Sequence, residues 1–302
     1  MTLKDYAALV EDRLNELLPE AAEKTPGIDE TPWLLNNAMR YSLMAGGKRL
    51  RPAMLLACAD MLGASREEAM IPACALEMIH TYSLIHDDLP GMDNDTLRRG
   101  RPTNHVVFGE GQAILAGDGL LSLAVELMIG NVMAHPDNYA GGIRAMNEIV
   151  RGAGVSGMVG GQCMDLYCER EGLCDERMLS YIHMNKTARM LISPLRAAAA
   201  LAGYAPESPE WKALTAYGVN FGLLFQAVDD ILDVVGDEKT LGKSVGKDAA
   251  EGKLTYVALY GLEGARKRAD ALAGEARASL APFGGRAAFF LDLLDSMAHR
   301  AS

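Results

Sequence analysis

Two short runs of carboxylates stand out in the 302-residue chain, because each closes a stretch that is otherwise apolar. The first reads His86-Asp87-Asp88-Leu89-Pro90-Gly91-Met92-Asp93-Asn94-Asp95, four acids within nine residues, ending at a Pro-Gly break. The second reads Gln226-Ala227-Val228-Asp229-Asp230-Ile231-Leu232-Asp233. Here Gln226, Asp230 and Asp233 fall at i, i+4 and i+7 on one helix face, and Asp229 lies a turn from Asp233. Ionised carboxylates on apolar helices need a partner, since an unpaired charge is very costly to take out of water. Hard divalent cations meet that need. Magnesium takes oxygen ligands, keeps several waters and is commonly held by one or two carboxylates plus substrate phosphates. Either run alone reads better as a solvated helix end; the two together, with the basic groups around them, reverse that reading.

The basic groups are close in sequence to the acids. Gly46-Gly47-Lys48-Arg49-Leu50-Arg51-Pro52 is a glycine turn that delivers three cations at the start of a helix, an anion cradle of side chains and exposed N–H groups. Arg98-Arg99-Gly100-Arg101 follows the first acidic run directly. Lys243 and Lys247 follow the second, Lys253 comes soon after, and Lys186-Thr187 sits on a separate helix. In a chain of net charge -11, such cations beside carboxylates imply an anion between them. His80 stands seven residues before Asp87, two helical turns along and nearly on the same face, so it belongs to the same group.

The elements that must hold these groups read as helices. Hydrophobic residues are 49% of the chain and aromatics only 6%, with much Ala, Leu and Met and few β-branched runs, which predicts an all-α fold. Apolar spacing predicts helices over 3–18, 33–43, 52–62, 70–88, 112–133, 142–161, 175–203, 209–235, 254–280 and 286–300, and no stretch alternates like a strand. Residues 73–85 and 217–232 are apolar almost all round, as in helices buried inside a bundle. No linker or composition change divides the chain, so one domain is expected over 1–302. The acidic balance argues against nucleic acid as a partner. The stretch 113–130 is broken by Asp118 and Glu126, so no membrane span is expected, and the start of the chain is neither a signal nor a transit peptide. Cys58, Cys74, Cys163, Cys168 and Cys174 match no zinc spacing and fit incidental thiols of a reducing compartment. A cytoplasmic protein is expected.

Taken in order, these motifs resemble the trans-isoprenyl diphosphate synthase family, and within it the bacterial farnesyl and the related geranylgeranyl enzymes. The resemblance covers nearly the whole chain. It rests on the 46–52 loop, the 79–93 segment, Arg98-Arg99-Gly100, Gly160-Gly161-Gln162-Cys163-Met164-Asp165, Lys186-Thr187 and the 225–233 segment. It implies an isoprenoid synthase fold, a bundle of about ten or more helices around a central cavity, and a homodimer. It also implies a head-to-tail condensation of dimethylallyl or geranyl diphosphate with isopentenyl diphosphate, with release of diphosphate. Asp87, Asp88, Asp93, Asp229, Asp230 and Asp233 would hold magnesium, three ions with substrate bound. Arg98, Lys186, Lys243 and Lys253, with Thr187 and Gln226, would hold the allylic diphosphate. Lys48, Arg51, His80 and Arg99 would take isopentenyl diphosphate. The oxygens of Thr187 and Gln226 and the backbone of Lys186 would face the allylic cation as the diphosphate departs.

The growing hydrocarbon in this family runs down beside the first acidic helix, which makes Tyr82 and the small Ser83 the expected length-setting pair. Tyr82 lies five residues before Asp87, roughly 7.5 Å down the helix axis. With the two extra residues Pro90 and Gly91, it favours a fifteen-carbon farnesyl product over the twenty-carbon geranylgeranyl alternative. Asn94 stands where many relatives have another aspartate. Other readings explain less. His86-Asp87 as the metal dyad of a histidine-aspartate phosphohydrolase leaves the second acidic run and both arginine motifs idle. A non-catalytic regulatory subunit is expected to lack one acidic run, and both are complete. Gly152-Ala153-Gly154-Val155-Ser156-Gly157 spells a dinucleotide fingerprint, but no strand precedes it, and close helix packing explains it better.

Overall fold

The computed structural model describes residues 1–28, 30–172, 175–235 and 255–299. Among these, thirteen α-helices follow in order: α1 (Leu3–Leu17), α2 (Trp33–Leu43), α3 (Leu50–Leu62), α4 (Arg66–Asp87), α5 (Asn104–Phe108), α6 (Glu110–Ala134), α7 (Tyr139–Ala153), α8 (Met158–Glu171), α9 (Glu176–Ile182), α10 (Arg189–Leu201), α11 (Pro209–Val235), α12 (Tyr256–Ser279) and α13 (Ala288–Ala298). The fold is all-α, as the composition predicts. Its buried residues form one continuous apolar cluster drawn from nearly every helix.

Two helices form the axis of the molecule, and their sequences explain why. In α4 the residues from Ala69 to Ile85 are buried on almost every side, with α3 and α6 packed against it. Ser65 caps its first turn by accepting from the Glu68 N–H at 3.3 Å. Helix α11 buries Tyr217, Phe221, Leu224, Val228 and Ile231 between α10 and α12. Tyr217 stacks on Phe221 at 5.5 Å and donates its hydroxyl to the Phe290 carbonyl at 3.0 Å. Both helices end in acids, so packing of their apolar bodies fixes where the carboxylates emerge.

The structure departs from the sequence reading in three places. Residues 97–102 form a two-residue antiparallel pairing, β1 (Leu97–Arg98) with β2 (Arg101–Pro102), turned at Arg99 and Gly100, both of positive φ. The helix expected over 142–161 is two, α7 and α8, separated at Gly154 and Gly157. The fingerprint-like glycines are therefore a turn, and Gly152 packs against Ser193 of α10. The helix expected over 175–203 is interrupted by a π-helical turn, His183–Ala188, which joins α9 to α10 and carries Lys186 and Thr187. Single π turns inside α-helices gather at functional sites.

Helix α6 is the one among the described residues long and apolar enough to cross a membrane by length and composition. Asp118 and Glu126 interrupt it, and Ala113, Ala116, Leu120, Ala124 and Met128 are buried within the bundle. Its other side exposes Ile114, Leu115, Ile129 and Met133.

The π turn is held from both sides by glycines. A Cβ on Gly161 of α8 would lie 2.2 Å from the Lys186 nitrogen, and one on Gly222 of α11 would lie 2.6 Å from the Ala188 Cβ. Only at glycines can the helices approach this closely. Substituting Gly222→Ala should therefore destabilise the protein by about 1–3 kcal/mol through overpacking. Urea unfolding checks this; an unchanged midpoint would reject the close packing.

Candidate active site

A cavity of about 870 Å³ opens between α4, α8 and the π turn. Asp87, His80, Tyr82 and Ser83 line it from α4, Gln162 and Cys163 from α8, Lys186 and Thr187 from the π turn, and Arg51 from α3. Five of the residues expected to meet substrate or metal thus share one space with the expected length-setting pair.

The acidic rim is built by the end of α4. The N–H of Asp93 donates to the Asp87 carbonyl at 2.9 Å, and those of Met92 and Asn94 donate to the Leu89 carbonyl, folding the loop back on the helix. Asn94 takes φ 52 to close this turn, a conformation that asparagine adopts more readily than most side chains do. Burial, with the charges of Asp93 and Asp88 added, pushes the Asp87 carboxyl up to about 6, against the pull of Lys186. Asp88 is raised by burial too, and Arg98 offsets only part of this. The Nε of Arg98 donates to both Asp88 oxygens at 2.8 and 3.0 Å, and its Nη2 lies 2.6 Å from Oδ1. Arg98 and Asp88, expected to serve diphosphate and metal separately, are here each other's partners.

On the opposite wall, Lys186 Nζ lies 2.5 Å from Asp165 Oδ2, and Thr187 donates to Gln226 Oε1 at 2.5 Å. That bond joins the π turn to α11 one helical turn before the second acidic run. Asp229, Asp230 and Asp233 do not line the cavity. Asp230 is buried, and its Oδ2 accepts the Tyr256 N–H at 2.7 Å, bracing the start of α12. One of its oxygens thus serves the backbone. Lys243, Lys247 and Lys253 lie outside the described residues.

The basic wall divides in a way the sequence does not announce. Arg51 lines the cavity with its Nε buried and without a hydrogen-bond partner. Burial lowers it to about 10, still fully charged near neutrality. His80 is held well below the usual imidazole range by burial and by Arg51 and Arg99. Arg99 takes φ 54 and donates through Nη1 to the Gly46 carbonyl, docking the hairpin on the glycine loop. Lys48 is exposed. Arg49, counted in the sequence among the cradle cations, instead turns inward to Glu77.

Two residues of α8, one on the cavity and one beside it, have no role in the sequence reading. Gln162 faces the cavity with Oε1 buried and without a partner, and Asp165 holds Lys186. The signal was present in Gly160-Gly161-Gln162-Cys163-Met164-Asp165, where Gln162 and Asp165 are one helical turn apart after a glycine pair. Among the described residues no three His, Cys, Asp or Glu side chains converge to hold a metal unaided. What the rim offers is a half-buried carboxylate with excess negative charge beside it, the donor set for a hard cation that brings other oxygen ligands.

The polyprenyl synthetase family pattern matches residues 32–279. A geranylgeranyl diphosphate synthase of Cyanophora paradoxa is 39% identical over 298 residues, covering 99% of this chain and 95% of that protein. A chloroplastic geranylgeranyl pyrophosphate synthase of Capsicum annuum is 44% identical over 289 residues, covering 95% and 76%. Among solved structures, an FPP/GFPP synthase of Zymomonas mobilis superposes with a TM-score of 0.85 at 33% identity, covering 98% of this chain and 97% of that one.

Removing the Arg98 side chain leaves the buried Asp88 without its main partner. Arg98→Ala should cost roughly 1–3 kcal/mol at neutral pH, a figure reduced for the partial exposure of the guanidinium. In the variant the folded state holds the Asp88 proton more tightly than the unfolded state does. Its deficit should therefore shrink as pH falls. Thermal unfolding of both proteins across a pH series checks the sign, and a deficit that grows on acidification would reject the assignment.

Proposed function

The chain belongs to the polyprenyl synthetase family, and we propose that it joins an allylic diphosphate to isopentenyl diphosphate head to tail, releasing diphosphate. The observation that carries this reading is the cavity itself. Asp87 from the end of α4 and Lys186 from the π turn line it together with Arg51, His80 and Tyr82.

Magnesium is the ion the acidic rim suits. Asp87, Asp88 and Asp93 from one side and Asp229 and Asp233 from the other would hold it together with the substrate's own phosphate oxygens. When bound it neutralises the charge that develops on the departing diphosphate. Lys186 and Arg98 add positive charge at the same place once each leaves its present carboxylate partner, Asp165 and Asp88. Arg51, with its unpartnered Nε, and the neutral His80 bind the second diphosphate, assisted by Arg99 and Lys48. Thr187 and Gln226, bonded to each other, present oxygens toward the carbon that becomes electron-poor. The apolar remainder of the cavity excludes water, so the cation meets the isopentenyl double bond instead of hydroxide.

For product length the relatives favour twenty carbons, since two are named geranylgeranyl synthases. A fifteen-carbon product is favoured by one observation of this chain: Tyr82 lines the cavity, is only 7% exposed, and is wedged edge-on against His86 at 5.8 Å. With magnesium, geranyl diphosphate and isopentenyl diphosphate, the purified protein should release diphosphate, and chelation should stop it. Chromatography of the phosphatase-treated products separates the two lengths, and no turnover with any allylic diphosphate would sink the whole reading. Tyr82→Ala should shift the product by at least one five-carbon unit if the ring is the floor. An unchanged product would leave the twenty-carbon reading.

The reading includes a homodimer. Ile114, Leu115, Ile129 and Met133 on α6, continued by Ile143 and Val150 on α7, form an exposed apolar face of the kind monomers seldom leave uncovered. Replacing Ile129 and Met133 with Glu should halve the mass measured by light scattering. A monomeric native protein would contradict the assignment. Cytoplasmic residence remains an expectation of the sequence alone.

A further inference from the structure

The 46–51 loop carries three cations, but they have different surroundings. Arg51 faces the cavity and Lys48 faces solvent. Arg49 is wholly buried, with Nη1 2.8 Å from Glu77 Oε1, Nη2 2.7 Å from the Leu43 carbonyl and Nε 3.3 Å from Glu11 Oε1. Its backbone sits at φ 47, ψ 39, just before α3 begins. Residues other than glycine hold that conformation only where the surroundings over-determine it.

Glu77 is the residue these contacts serve. It is 2% exposed and lies on α4 one turn before His80. Its charge acts favourably on both Arg51 and Arg99. A buried carboxylate among three guanidiniums will pair with one of them, and the choice matters. Paired with Arg51 or Arg99, it would occupy a group needed by the substrate. Paired with Arg49, it leaves Arg51 uncommitted and Arg99 bonded to the neutral Gly46 carbonyl.

We propose that Arg49 is a positioning residue of the isopentenyl diphosphate pocket, acting as the dedicated counter-ion of Glu77 and so keeping Arg51 and Arg99 available to the diphosphate. This rests on the proposed function, and Arg49 itself touches no substrate. The αL turn follows from the same requirement, because it sends Arg49 inward while Arg51, two residues on, remains on the cavity wall.

Steady-state kinetics with each substrate varied in turn test this. Arg49→Met strands Glu77, which then captures Arg51 or Arg99, so KM for isopentenyl diphosphate should rise about tenfold while that for the allylic diphosphate stays within about twofold. Arg49→Lys keeps the charge but loses the forked contacts and should give a smaller rise in the same KM, about threefold. Replacing both residues, Arg49→Met with Glu77→Met, removes the stray carboxylate. A buried ion pair exchanged for apolar side chains commonly folds well, and KM should return to within about twofold of the native value. A purely structural role would raise both KM values together or leave the double variant as poor as the single one, and either result overturns the proposal. If Arg49→Met does not fold, a native isopentenyl KM in Arg49→Lys overturns it equally. A native protein that does not consume isopentenyl diphosphate removes the proposed function instead, and this inference with it.

Discussion

A charge inside an apolar bundle must have a partner, and the arrangement of this molecule follows from where those partners are found. Asp87 and Arg51 reach the cavity from α4 and α3, helices buried against their neighbours on most sides, so neither can turn away to water without disrupting the core. The described structure answers with pairs: Asp88 with Arg98, Asp165 with Lys186, Glu77 with Arg49. The exceptions are informative. Asp87 keeps a raised carboxyl pKa, and Arg51 keeps a buried Nε without a partner. These two lie on different walls of one cavity, one short of positive charge and the other of negative. A substrate pair that brings diphosphates with divalent metal supplies both.

The remaining pairs also acquire a meaning as a resting arrangement. Lys186 and Arg98 are occupied by carboxylates of the same site. Binding of an anion then draws these two cations off Asp88 and Asp165, whose carboxylates need a cation or water in their place. Among the described residues, the three outside glycine with positive φ are Arg49, Asn94 and Arg99. All three sit in the loops that carry these charges. Strain of this kind persists where function requires the geometry and the surrounding core enforces it.

Much of this was legible in the sequence, for identifiable reasons. The bodies of α2 and α11 were read to the residue, because long apolar periodicity with clear breaks at each end leaves little choice. The acids, arginines and His80 were found because charge on an apolar helix stands out. What was not legible depended on three-dimensional partners. Nothing in Lys48-Arg49-Leu50-Arg51 says which arginine turns inward; that depends on Glu77, twenty-eight residues away. The partner of Asp230 does not show in a helical projection, because it is the start of α12. The π turn at His183–Ala188 has no sequence signature, since it arises where Gly161 and Gly222 let two helices close on it. The two-residue strands were too short for any periodicity to show.

Helix α4 carries a consequence that reaches beyond single residues. Side chains that face the cavity recur about every turn, a step of about 5.4 Å, comparable with the reach of one five-carbon unit. The residue one turn deeper than Tyr82 on that face is Met78, itself bulky and fully buried. On the proposed reading, removing one obstruction does not open the tunnel indefinitely; it lowers the floor to the next rung. Helix geometry then makes product length a discrete variable, set by which rung is blocked, and related enzymes can differ by whole units without any change in their catalytic groups.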